Sequence, residues 1–147
     1  MILDLLLQQP LFFIAWLLAI LFALTVHEFS HAYVANLLGD DTAKQFGRLS
    51  LNPLAHLDLL GFLLLLFIGF GWAKPVPFNP NNLKNQRWGQ ALIGLAGPFS
   101  NFLSIIIFGS LLKFSVTTIG LGSQNLLFFF LLMLVQLNAV LLIFNLI

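Results

Sequence analysis

The chain has 147 residues, 60% of them hydrophobic and 7% charged, against the roughly 25% charged residues of a soluble domain, and its mean hydropathy is +1.01. Six Lys and Arg against five Asp and Glu give a formal charge of +1, which offers no electrostatic footprint for nucleic acid. There is no cysteine, so disulfides, thiolate metal ligands and cysteine nucleophiles are excluded.

These numbers predict an all-α polytopic membrane protein, a single membrane-embedded unit with the lipid bilayer as its partner. A cleaved signal peptide does not fit the N-terminus: Asp4 stands where basic residues belong, and the apolar run passes signal length without a small-x-small site. The first segment is expected to be retained.

The first long apolar run covers residues 11–26, opened by Pro10 at a favoured N1 position and continuing as helix to Leu38 before Gly39-Asp40-Asp41. His27 then lies about 24 Å along the helix from Leu11, near one membrane face. Residues 40–58 are polar and broken by Gly47 and Asn52-Pro53, with room for one short strand at 46–51.

Residues 59–73 are uncharged but too few for the roughly 20 residues a spanning helix needs, and Gly61, Gly69 and Gly71 weaken helix further. Residues 74–80, with Pro75, Pro77 and Pro80, must be extended. Residues 88–114 form a second clear helix, whose Ala91, Gly94, Gly97 and Ser100 suggest close helix contact. The last apolar run, 125–147, carries Gln136, Asn138 and Asn145. Three or four hydrophobic helices with short re-entrant extended or β elements are therefore expected.

Charge decides how 59–73 is read. Lys44 and Arg48 precede it, Lys74, Lys84 and Arg87 follow it, and only Lys113 lies near the third connection. A crossing would put the first two groups on opposite sides, against the positive-inside rule, whereas a re-entrant segment keeps them together. The re-entrant reading is favoured.

His27-Glu28-Phe29-Ser30-His31 carries the chemistry. Positions i and i+4 share a helix face, so His27 and His31 can present two imidazoles to one Zn2+ while Glu28 acts as base toward water, the H-E-x-x-H arrangement of zinc metalloproteases. An exposed helix face would explain such a pattern in a soluble protein. Here Glu28 is the only glutamate and the surroundings are Leu, Ile, Phe and Ala, where ionisable groups are functional by default. A proton or ion path is the alternative to metal, although the inverted repeats of a transporter are not found.

Further blocks extend the pattern: Gly47-Arg48-Leu49-Ser50-Leu51-Asn52-Pro53, His56-Leu57-Asp58, Gly71-Trp72-Ala73-Lys74-Pro75-Val76-Pro77, Ala96-Gly97-Pro98-Phe99-Ser100-Asn101 and Phe144-Asn145-Leu146-Ile147. In this order they resemble the site-2 protease family of intramembrane zinc metalloproteases, in its small members without PDZ or CBS domains. The resemblance implies zinc as cofactor, His27 and His31 as ligands, Glu28 as general base, and transmembrane protein substrates cleaved in or near their membrane segments. It also implies a multi-pass place in a bacterial plasma membrane, without fixing an oligomeric state.

The resemblance implies a third ligand too, an Asp in a Leu-Asp-Gly motif about eight residues after the position of Asn145. The sequence stops at Ile147 before such a residue, so an incomplete C-terminus is expected; a short chain with an altered site, acting as an inactive scaffold that binds membrane helices, is the other reading. Asn145 resembles a family Asn that holds the oxyanion or substrate carbonyl, and as a bare membrane amide it would be interhelical packing. Asn138 reads as packing, and Asn101, near Pro98, as a group satisfying freed backbone. His56 and Asp58 are either substitute ligands or a hydrogen-bonded pair fixing the re-entrant turn. Residues 74–80 shape substrate entry by β-augmentation or serve as a rigid connection.

Overall fold

A computed structural model describes residues 2–146. Its N-terminal helices, α1 (Ile2–Gln8) and α2 (Pro10–Leu37), divide at Gln9, where the following proline disfavours helical backbone. The 28 residues of α2 rise about 42 Å, enough to cross the hydrocarbon core with a turn or two to spare. Gly39, at φ +104°, turns the chain off the helix in a conformation only glycine adopts freely.

The strand expected at 46–51 is absent. One helical turn, α3 (Thr42–Gln45), occupies the start of this loop, and a 3-10 turn, Pro53–Ala55, its end. Between them Arg48 turns inward and is buried, and the segment finds no strand to pair with. Among the described residues the one β-bridge joins Leu57 to Ala73, and β-propensity without a pairing partner does not make a strand.

That bridge settles the path of residues 59–73. Helix α4 (Leu59–Ile68) has 10 residues, about 15 Å, half the thickness of the hydrocarbon core. Asp58 caps its start by accepting from the Gly61 amide at 2.9 Å, and Gly69 closes it at φ +83°. The chain then returns, with Lys74 N donating to His56 O at 2.9 Å. Gly61 and Gly71 let the two limbs touch: a Cβ on Gly61 would lie 3.0 Å from Trp72 N, and one on Gly71 only 2.8 Å from the Leu65 Cβ. The excursion starts and ends at one level, the path a re-entrant segment takes.

Asp40 ties the same end of the molecule together. Its buried carboxylate accepts from Thr42 N at 3.1 Å, Thr42 Oγ1 at 2.5 Å, Asn79 N at 2.7 Å and Asn82 Nδ2 at 2.9 Å. Burial alone would raise its pKa, but these bonds to the charged form hold it below the ordinary carboxylate value. Lys84 N donates to Leu38 O at 3.2 Å, so the loop after α2 and the loop before the next helix share one end, bringing Lys44, Arg48, Lys74, Lys84 and Arg87 to the same side, as the charge pattern requires.

Helix α5 (Gln86–Thr117) runs back alongside α2, and α6 (Leu126–Phe144) returns parallel to α2. Contacts between residues 22 and 108, 27 and 101, and 31 and 93 give the antiparallel register of α2 with α5, while Phe12 meets Phe129 at the start of α6. All three are long and apolar enough to cross a membrane. Ala15, Ala19 and Ala23, every fourth residue of α2, are buried and let the neighbouring backbones approach closely. Ala19 packs with Leu131 and Leu134 of α6, with Phe108 and Leu112 of α5 alongside.

The small-residue stripe expected on α5 is corrected by the structure. Gly97 is buried, but Ala91 and Gly94 are exposed, and the inward face carries Gly89, Ile93, Ala96, Gly97, Asn101 and Ser104. A strict spacing of three drifts about 60° per step around a helix, whereas the buried face follows the mean of 3.6. On the outer face Leu92, Leu95, Phe99, Phe102 and Ile106 are exposed, as a lipid-facing stripe should be.

Candidate metal centre

His27 continues the alanine stripe of α2 by one more turn, which carries it into the three-helix interface at 2% exposure. His31, a further turn on, is partly buried, and its Nε2 lies 3.0 Å from that of His27. The outer nitrogens are both committed. His31 Nδ1 donates to Ile93 O at 2.6 Å, and His27 Nδ1 donates to Asn101 Oδ1. A neutral imidazole has one proton, so with both protons on Nδ1 the two Nε2 lone pairs face each other.

That arrangement repels itself and suits a cation. Two zinc–nitrogen bonds of 2.0–2.1 Å at a tetrahedral angle set the nitrogens about 3.3 Å apart, and here they stand at 3.0 Å. Gly97 supplies the open side: a Cβ there would lie 2.6 Å from His27 Nε2 and closer still to His31 Nε2. The absent side chain leaves a cradle beside both nitrogens, and two neutral imidazoles are donors of the kind Zn2+ takes, one protein ligand short of a catalytic set among the described residues.

Behind His27 the network continues. Asn101 Nδ2 donates to Asn138 Oδ1 at 2.7 Å, and Asn138 Nδ2 donates to Leu134 O at 2.7 Å. Asn101 and Asn138 are 1% and 0% exposed. This corrects one expectation: Asn101 serves His27 in place of backbone freed by Pro98, while Asn138 is the interhelical amide expected, bonded across to α5.

Glu28 follows His27 by one residue, about 100° around the helix, and is partly buried. Its field reaches Arg48. Burial pulls the Arg48 pKa below its ordinary value and the Glu28 carboxylate opposes that shift, but a guanidinium stays charged throughout. Arg48 donates to Ala55 O and Lys74 O, and to Pro75 O at 3.0 Å. One side chain thus fastens the loop after α3 to the proline-rich segment, beside an open cleft of about 290 Å³ lined by Phe46, Arg48, Lys74, Pro75 and Pro77.

His56 and Asp58 do not join the two histidines; among the described residues no third His, Asp or Glu completes such a cluster. Nor do they bond to each other. Buried His56 donates from Nε2 to Ser50 O at 2.7 Å and receives Lys74 N on its carbonyl, while Asp58 caps α4. Burial holds the His56 pKa below its ordinary value, with the Ser50 bond opposing and the Arg48 charge reinforcing it. Each fixes the re-entrant turn by its own contacts. Asn145 stands exposed at the end of α6, donating to Leu141 O at 2.8 Å; seven residues beyond Asn138, it lies about 10 Å further along the helix.

The sequence reading named Asn101, Gly97 and Arg48 without the contacts they make here, and missed the Ile93 carbonyl. A signal existed for the first: two amides in apolar helices must find partners, and a nearby imidazole is the most demanding one. A backbone carbonyl leaves no such trace.

No family model and no solved structure matches the chain. A Bacillus subtilis protein named "Putative zinc metalloprotease YwhC" is 40% identical over 148 residues, which cover 97% of this chain and 67% of that protein.

Proposed function

Since the chain belongs to the zinc metalloprotease family of this Bacillus subtilis relative, we propose that it hydrolyses peptide bonds in or near transmembrane segments of other membrane proteins, as a site-2-type intramembrane protease. The observation that carries this is the pair of Nε2 atoms, 3.0 Å apart with both Nδ1 atoms committed elsewhere, in a helix long and apolar enough to span a bilayer.

His27 and His31 would hold Zn2+, which when bound polarises a scissile carbonyl and makes water acidic near neutral pH. Glu28, on the same helix turn, takes the proton of the attacking water and delivers it to the departing amine nitrogen. Burial of the site between α2, α5 and α6 keeps bulk water away and strengthens these interactions.

A substrate helix must unwind to expose a carbonyl, and an extended peptide needs a backbone partner. Residues 74–79, outside helix and strand, and the cleft lined by Pro75 and Pro77 are proposed to receive it by β-augmentation. Asn145 is proposed to bind the substrate carbonyl when substrate is present. By the resemblance the third zinc ligand would be an Asp following the position of Asn145, and among the described residues none completes the set.

Glu28→Gln tests this reading. It should leave zinc bound and lower cleavage of a model membrane substrate by ~10²–10⁴-fold, since an amide cannot accept the proton. Retained cleavage removes Glu28 from the reaction, and a zinc-free parent protein without cleavage supports an inactive helix-binding scaffold.

A further inference from the structure

We propose that Asn101 and Asn138 form a one-way hydrogen-bond relay that holds His27 in the tautomer able to bind metal. The proposal rests on the zinc reading for its purpose, though not for its geometry. The direction is set at the far end. Leu134 O can only accept, so the Asn138 amide turns its nitrogen to it at 2.7 Å. That leaves Asn138 Oδ1 facing Asn101, which must answer with its nitrogen, at 2.7 Å. Asn101 then has only its Oδ1 left to turn to His27, and an oxygen in that place takes a proton from Nδ1.

Flipping either amide alone sets donor against donor or acceptor against acceptor. Flipping both still puts the Asn138 oxygen against the Leu134 carbonyl. The members are 2%, 1% and 0% exposed, so water cannot repair a mismatch, and an unmade bond there costs its full desolvation penalty. A buried network with every member satisfied in one sense specifies one state.

His31 needs no relay, because the Ile93 carbonyl fixes its Nδ1 proton directly. The two imidazoles are therefore oriented by different means, one by the backbone of α5 and the other by side chains reaching from α6 through α5. Asn101 and Asn138 are positioning residues: they touch neither metal nor substrate, and act by leaving His27 Nε2 bare toward His31.

The test reads the tautomer without metal and zinc affinity separately. In ¹⁵N-histidine NMR of the metal-free protein at about pH 8, above ordinary histidine titration, His27 of the parent should show its proton on Nδ1. Asn101→Leu keeps the side-chain size but removes the acceptor. It should shift His27 toward the Nε2-protonated form and weaken zinc binding 10–100-fold in chelator competition, the usual cost of losing the partner of a metal-binding histidine. Asn101→Asp keeps an oxygen toward Nδ1 and should retain the parental tautomer and most of the affinity. A role in packing alone would disturb stability and leave the tautomer unchanged.

Should Asn101→Leu fail to fold, Asn138→Leu interrupts the relay one step back and is read the same way. A parent whose His27 carries its proton on Nε2 overturns the relay outright. So does Asn101→Leu with parental tautomer and parental zinc affinity, and in that case the zinc reading survives. A parent with the expected tautomer that binds no zinc leaves the relay standing and defeats the proposed function instead.

Discussion

Gly97→Ala places a methyl carbon 2.6 Å from His27 Nε2 and nearer to His31 Nε2, where ordinary contacts are 3.4–4 Å. The overlap is about 0.8 Å or more, far up the repulsive wall for each pair. Neither ring can withdraw freely, because each is held from behind, His27 by Asn101 and His31 by Ile93 O. A cation 2.0–2.1 Å from both nitrogens and a methyl this close to both compete for one space. Zinc affinity should fall at least ~100-fold, about 2.7 kcal/mol, and overpacking should cost a further ~1–3 kcal/mol of stability. Gly94→Ala is the control on the same helix. It is exposed with nothing within 4 Å of its would-be Cβ, so it should bind zinc as the parent does and gain up to ~1 kcal/mol from helix propensity. Chelator competition and thermal unfolding in detergent measure both quantities. Parental zinc affinity in Gly97→Ala would refute the cradle and the ligand geometry with it.

Gly61→Ala directs a Cβ at the backbone of Trp72, 3.0 Å from its nitrogen, and backbone cannot rotate aside as a side chain can; a loss of ~1–3 kcal/mol and faster proteolysis between residues 69 and 77 are expected, and an unchanged protein would mean the limbs of the re-entrant hairpin are not in contact. Because the chain has no cysteine, single cysteines at Lys44 and Lys84 can be labelled from either side of a vesicle membrane. Both should react from the same side, and opposite labelling would require α4 to cross.

The span-length helices were legible because apolar length is a direct signal, and Pro10 and Gly39 punctuate α2 where the rules place them. That residues 59–73 turn back to their starting level was legible from two independent features, too few apolar residues to span and the basic residues on both flanks. The strand at 46–51 failed because local propensity says nothing about whether a partner strand exists. The H-E-x-x-H pair was readable from i,i+4 geometry, whereas the supports of His27 and His31 depend on the register of α2 against α5, which no local pattern encodes. The Ile93 carbonyl is invisible by nature. Asn101 was visible as an expensive polar residue but was matched to the nearer Pro98, since sequence distance is a poor guide to partners across a helix interface.

X-ray absorption at the zinc edge on the purified protein tests the central claim most directly. The account predicts stoichiometric zinc with two imidazole nitrogens at 2.0–2.1 Å, and loss of that signal in His27→Ala and in His31→Ala. Zinc held without imidazole, or peptide-bond hydrolysis by protein shown to be free of metal, would contradict it.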